Sequence, residues 1–127
     1  MYKRQTYTYS DPRIVENAGS PATVGKQVPF VASHVAAGTV TAARGGLALT
    51  GTARYQSAVF SSDTNTDTVR GVPGAYDEFV EVDLAASYRL RGHVSLTLSA
   101  DNVFDRQYYL FYRNPGRVVT AGLRLQY

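Results

Sequence analysis

The sequence predicts an all-β fold: an antiparallel up-and-down meander of about six strands that forms part of a transmembrane β-barrel. Three observations carry this. Apolar and polar residues alternate with period two in one stretch after another, and no stretch shows a helical period. From the third strand on, these stretches run to about eleven or more residues. A tilted strand needs about 9–11 residues to cross a bilayer, whereas a typical soluble strand has about five or six. The connections alternate long, short, long, short, moderate, which is how barrels with short periplasmic turns and longer outer loops are built.

The elements follow in order. A first strand covers Tyr2–Ser10, and a polar loop runs from Asp11 to Val28 with Pro12, Gly19, Pro21 and Gly25. A second strand spans Val31–Ala43. Arg44-Gly45-Gly46 reads as a tight turn, because glycine supplies the positive φ such turns need. The third strand is Leu47–Phe60, followed by a polar loop, Ser61–Asp77. Glu78–Leu90 is the fourth strand, Arg91-Gly92 a short turn, and His93–Tyr109 the fifth strand. A loop holding Asn114-Pro115-Gly116 leads to the sixth, Arg117–Tyr127. The short turns and the C-terminus share one end.

Period two assigns the faces. Val80, Val82, Leu84, Ala86, Tyr88 and Leu90 oppose Glu81, Asp83, Ser87 and Arg89. Leu47, Leu49, Ala53, Tyr55 and Val59 oppose Thr50, Thr52, Arg54 and Gln56, and Val94, Leu96, Leu98 and Ala100 oppose Ser95, Thr97, Ser99 and Asp101. Leu123, Leu125 and Tyr127 oppose Arg124 and Gln126. Aromatics fall near the ends of the aliphatic band, with Tyr88 and Tyr127 low and Tyr55, Phe79, Phe104 and Tyr108 high, the arrangement of two interfacial girdles. The charged face reads as a solvated wall with cross-strand pairs.

Composition narrows the function. With 127 residues the chain is one domain, and with no cysteine it has neither disulfides nor thiol chemistry. Its formal charge of +3 is spread along the chain, so no nucleic-acid partner is indicated. Mean hydropathy is −0.21, a value that a barrel escapes because only every second residue faces lipid. Met1 to Tyr7 lacks the apolar core of a secretory signal. An outer-membrane protein needs such a signal, so the chain is expected to be a piece of a longer protein.

The segment Val119–Tyr127 resembles the C-terminal assembly signal of bacterial outer-membrane barrels, with Thr120, Gly122, Leu125 and Tyr127 filling its pattern in register. Asn102-Val103-Phe104-Asp105-Arg106-Gln107-Tyr108-Tyr109 resembles the Asn-(Leu/Val)-Phe-Asp-x-x-Tyr-Tyr motif near the end of TonB-dependent outer-membrane receptors, so Asn102, Phe104, Asp105, Tyr108 and Tyr109 are its family positions. Tyr7–Asp11, Val24–Pro29, Val82–Tyr88 and Pro115–Val119 are similar to further segments of that family.

The resemblance implies the last six strands of a 22-stranded, plugged transporter barrel in the bacterial outer membrane. The whole of residues 1–127 would be the C-terminal portion of that barrel, with no plug domain or signal peptide in this chain. For the charged face, the resemblance implies a surface that docks the plug instead of a solvated wall. It implies uptake of a metal chelate, most often an iron–siderophore, with cobalamin, other chelates and glycans open. The implied partners are outer-membrane lipid, the rest of the barrel with its plug, the barrel assembly machinery and, through the full-length receptor, the TonB complex. No cofactor is implied.

Arg70, Tyr76, Tyr112 and Arg113 stand in the outer loops, where stacking and charge-assisted bonds suit an anionic chelate. They also fit a plainer role as solvated loop residues and interface anchors. Other chemistry finds little support. Asp63–Asp67 begins like a calcium loop, but Thr68 replaces its glycine and Gly74 its closing glutamate, so no metal site is expected. Gly19, Gly25 and Lys26 miss the phosphate-loop spacing. His34 and His93 stand apart from any partner in sequence, and no nucleophile motif occurs, so the chain is not expected to be an enzyme. Rival readings are a small soluble antiparallel barrel that binds an apolar ligand, and another outer-membrane barrel, porin-like or enzymatic.

Overall fold

The computed structural model describes residues 1–91 and 93–125. Its elements are β1 (Tyr2–Tyr9), a single 3-10 turn (Pro21–Thr23), β2 (His34–Arg44), β3 (Leu47–Gln56), β4 (Phe79–Arg91), β5 (Val94–Asp101), β6 (Tyr109–Leu110), β7 (Tyr112–Arg113) and β8 (Val118–Leu125). Six of these strands form one antiparallel sheet in the order β1-β2-β3-β4-β5-β8, and β6 and β7 form a small ribbon in the last loop. Strands adjacent in sequence are adjacent in the sheet, as the meander requires. β1 and β8 are not paired with each other, so the sheet stays open. That overturns the small closed barrel. The turns at Gly45-Gly46 and between β4 and β5 lie at one end of the sheet and the long loops at the other, though Gly92 itself lies outside the described residues.

Cross-strand rows bear out the faces for the described residues of the six strands, while Val59 lies beyond β3 and the expectations for Gln126 and Tyr127 fall outside the described residues. Ala42, Leu49, Ala86, Leu98 and Ala121 make one continuous apolar row across five strands. Thr41, Thr50, Ala85, Ser99 and Thr120 make the row behind it. On that polar face, the Thr39 and Thr52 hydroxyls lie 3.1 Å apart and those of Thr41 and Thr50 3.0 Å apart. The register slips between Arg89 and Arg91, a bulge beside the β4–β5 turn. The apolar face has no cover: Leu98 is 53 % exposed and Leu125 63 %. Buried apolar side chains are confined, among the described residues, to Val59, Ala75 and Tyr108, all at the loop end. So extended an uncovered apolar face suits a sheet whose solvent is lipid.

Several expectations need correction. β3 stops at Gln56, not Phe60: Ser57 N donates to His34 O at 3.0 Å as the last rung, and Val59 then turns inward. β2 starts at His34, not Val31: after Phe30, with its φ of 61°, the chain stays irregular and bends at Ser33 before the first rung. β5 ends at Asp101, not Tyr109. Asn102 and Asp105 adopt positive φ, as Asn and Asp do more readily than other side chains, so the family motif is a turn beyond the strand. β5 therefore has 8 residues, fewer than expected, and β8 has 8 among the described residues.

Phe79 and Tyr108 do not join the outer girdle. Phe79 has the parity of Glu81, and the two rings stack at 4.4 Å on the polar side. His34 is not isolated either, since its Nδ1 lies 2.9 Å from the Tyr7 hydroxyl across β1 and β2. Tyr127, the last residue of the proposed assembly signal, lies outside the described residues.

Candidate functional site at the loop end

Three loops leave the upper edge of the sheet and are knitted together by backbone. Phe30 N donates to Phe60 O (2.8 Å), Gly74 N to Phe111 O (2.7 Å), Phe111 N to Ala75 O (2.8 Å) and Asp77 N to Tyr109 O (2.9 Å). Asn65 links the first two loops: its Oδ1 accepts from Gln27 N at 2.7 Å and its Nδ2 donates to Gln27 O at 3.0 Å. Segments distant in sequence thus become one surface.

Four aromatic rings run across it. Phe30 meets Tyr76 edge-on at 5.3 Å, Tyr76 meets Phe111 at 6.3 Å, and Phe111 meets Tyr112 edge-on at 4.9 Å. The two phenylalanines have φ of 61° and 69°, strained for bulky side chains. Such strain persists where the surroundings over-determine it and concentrates at ligand clamps. Here both strained residues flank Tyr76, and Phe30 is 61 % exposed. Of the four ligand candidates, Tyr76 and Tyr112 fall in this row.

The two arginines go elsewhere. Arg70 lies over the Phe60 ring, Cζ 5.5 Å from the centroid, and donates to Asp67 O at 2.8 Å. It also lines an open cleft of about 420 Å³ shared with Asp77, Arg106, Gln107 and Tyr108. Arg113 Nε donates to Gln107 Oε1 at 2.6 Å, one side chain away from that cleft. Arg106, Phe30 and Phe111 were not expected. Only the knitting of the loops brings them in, and nothing local in sequence marks them.

The floor is a polar knot on the charged face. Buried Glu81 accepts from Arg54, from Tyr108 OH at 2.6 Å and from Asn114 Nδ2 at 3.2 Å. Asp83 accepts from Arg54 Nη2 at 2.9 Å and from Asn102 N at 3.0 Å. The cross-strand pairs expected of the charged face are present here, with Glu81 buried rather than solvated. Arg89 and Arg124, placed on the same wall, join no ion pair among the described residues.

The motif residues now have visible roles. Asn102 closes a turn, accepting from Arg106 N (2.8 Å) and donating to Arg106 O (2.9 Å). Asp105 Oδ1 accepts from Arg117 N at 2.8 Å and so sets the entry to β8. Tyr109 N donates to Asp77 Oδ2 at 2.8 Å, and Phe104 points out, 76 % exposed. Burial, the bond to Glu81 and the charge of Glu81 hold the Tyr108 phenol well above its ordinary range, so it remains a donor.

In the loop with the calcium-like run, partial burial works against the ionised Asp67. Donation from Ser61 N (2.6 Å), Ser62 Oγ (2.6 Å) and Ser61 Oγ (2.9 Å) outweighs it and holds the carboxyl well below its ordinary 3.8. Among the described residues, no cluster of three or more acidic, His or Cys side chains is placed to hold a metal ion, and no helix is long and apolar enough to cross a membrane.

Comparison with known proteins places this architecture. A search of curated proteins finds no match. Among solved structures, the siderophore receptor PiuA from Acinetobacter baumannii superposes with a TM-score of 0.82 at 22% identity, over 98% of this chain and 19% of that one. Unliganded FecA, a ferric citrate transporter, superposes with a TM-score of 0.72 at 21% identity, over 94% of this chain and 19% of that one. The chain thus spans about a fifth of the length of these structures. The family model for the TonB dependent receptor-like β-barrel matches residues 2–103. With most of the chain matched and the meander superposing on receptor barrels, this chain belongs to the TonB dependent receptor-like β-barrel family.

Proposed function

We propose that the chain is the C-terminal section of the barrel of an outer-membrane TonB-dependent receptor that takes up a metal chelate, with an iron–siderophore as the leading class. The observation that carries this is the two-faced sheet: an uncovered aliphatic face, a hydroxyl and charged face, and loops knitted at one end into an aromatic and arginine-bearing surface. The superposition on a siderophore receptor and a ferric citrate transporter supports the ligand class. In this reading the chain has no catalytic role and its partners are lipid, the remaining barrel strands and a plug; the TonB complex is reached through the complete receptor.

Tyr76 and Tyr112 would stack on the chelate, while Arg70 and Arg113, at the neighbouring cleft, would attract its negative charge from the side. The test is ferric-chelate binding by the complete receptor in detergent. Tyr76→Ala and Tyr112→Ala should each weaken binding by about tenfold, as loss of one stacked ring does. Unchanged affinity in both variants and in Arg70→Ala and Arg113→Ala would remove the ligand assignment while leaving the barrel.

Thr120, Gly122, Leu125 and Tyr127 are proposed to be read by the barrel assembly machinery. Deleting Tyr127 from the complete receptor should abolish surface yield in cells and leave refolding into detergent intact. Normal surface yield would refute that role.

A further inference from the structure

The aliphatic face carries charges that neither the ligand surface nor the assembly signal uses. In the described strands, acidic side chains stand only at Glu81, Asp83 and Asp101, and all three have the polar parity. Lys3 and Arg44 have the opposite parity. Lys3 pairs with Val40, in the row Val40–Gly51–Leu84–Ala100, and Arg44 pairs with Leu47, in the row Leu47–Tyr88–Leu96–Leu123. Both are exposed, and neither has a carboxylate within ion-pair distance among the described residues. Arg44 shares its row with Tyr88 of the turn-side girdle, and Lys3 stands two rows nearer the middle. The two occupy adjacent strands four residues apart in register, which puts their Cα atoms roughly 14 Å apart.

Beside this pair the face is hollowed. An open groove of about 520 Å³ runs over Val40, Ala42, Gly51, Leu84, Ala86 and Leu98. Its floor is low at Gly51, where an added Cβ would come within 3.3 Å of Leu84 Cδ2. Val40 is the partner of Lys3, and Ala42 is two residues from Arg44, so the groove begins where the charges stand.

We propose that Lys3, Arg44 and this groove hold one phospholipid with a net-negative headgroup, from the leaflet on the turn side. The inference rests on the barrel reading, since only that reading puts the aliphatic face in lipid. Long basic side chains in a bilayer bend toward the nearer interface, which brings the Lys3 ammonium down toward the level of Arg44. The lipid phosphate sits between the two cations and accepts charge-assisted bonds from both, while one acyl chain lies in the groove. A zwitterionic headgroup brings an ammonium of its own against two cations, so a net-negative headgroup is preferred. A free phosphate ion would use the charges and leave the groove empty.

The test is photocrosslinking in the complete receptor, with p-benzoylphenylalanine in place of Leu49, in vesicles of equal phosphatidylglycerol and phosphatidylethanolamine. The probe should capture phosphatidylglycerol over phosphatidylethanolamine by about tenfold. That ratio should fall to near one with Lys3→Gln plus Arg44→Gln and persist with Lys3→Arg plus Arg44→Lys. Ala86→Phe, which fills the groove and leaves the charges, should lower phosphatidylglycerol capture severalfold. Heat-shifted gel mobility identifies folded barrels in each sample. Should the Gln pair misfold, Lys3→Gln and Arg44→Gln singly should each lower the ratio about threefold. Equal capture of the two lipids, or a ratio indifferent to the Gln changes, removes the lipid site alone. A ratio that collapses on adding inorganic phosphate, with Ala86→Phe silent, marks a free-phosphate site and overturns the proposal. Protein or nothing at Leu49 removes the barrel reading and the lipid site with it.

Discussion

At the residue scale, Glu81 and Asp67 show how the loop end is held. Glu81 is buried against three donors, so each donor removed leaves a carboxylate oxygen less satisfied in a dry place. Tyr108→Phe keeps the stacking on Phe79 and deletes one bond to a charged acceptor. It should cost about 1.5–3 kcal/mol in denaturant titration of the refolded receptor. A change within error would mean that water replaces the phenol freely. For Asp67 the folded pKa is depressed, so its contribution to loop order is complete above the ordinary 3.8 and is lost only as pH falls through the lower folded value. At pH 3, below the ordinary 3.8, a free aspartate is mostly protonated, whereas the lowered pKa of Asp67 lets it keep more of its charge. Pepsin at pH 3 should therefore cut beside Phe60 slowly in the native protein and much faster after Asp67→Ala; equal cutting rates would show that the serine donors do not order the loop.

At the element scale, the β2–β3 turn depends on glycine for two different reasons. Gly45 has a φ of 60°, which asparagine also tolerates, so Gly45→Asn should change stability by only a few tenths of a kcal/mol. Gly46 is constrained by space instead. A Cβ there would meet Arg89 O at 2.7 Å, on the residue whose N–H donates to Gly46 O at 2.8 Å. Gly46→Ala must push β3 from β4 and should cost about 1–3 kcal/mol in the same titration; a silent substitution would mean that the turn rearranges without strain.

The strands and their faces were legible in the sequence because period two is local: each residue announces its side by its neighbours. The ends of β3 and β5 were not, since they depend on the positive φ of Asn102 and Asp105 and on the inward turn of Val59. The aromatic row was half legible. Tyr76 and Tyr112 were chosen by residue type, but Phe30 and Phe111 reach them through loop pairings that no local pattern announces.

At the scale of the whole molecule, the sheet has an outside without a conventional core. In water, the row Leu49–Ala86–Leu98–Ala121 would stay exposed and the free edges of β1 and β8 would offer unpaired backbone. In a bilayer the same row is solvated by acyl chains. Leu98→Arg in the complete receptor should then cost about 2–4 kcal/mol in a membrane-folding titration, because the row lies away from both ends of the strands. A loss below about 0.5 kcal/mol, the usual range of a surface substitution, would place Leu98 against water or protein.

The slip between Arg89 and Arg91 also bears on how such a gene can change length. Losing one codon within the regular part of β4 would swap every following side chain across the sheet, putting Leu84 and Ala86 on the polar side and Asp83 or Ser87 on the aliphatic one. Beside the turn the pairing already absorbs an odd residue, so a single-codon insertion or deletion there leaves the rows above it in register. Natural variation in strand length is therefore expected to enter in pairs of codons along β4, and singly only near Leu90.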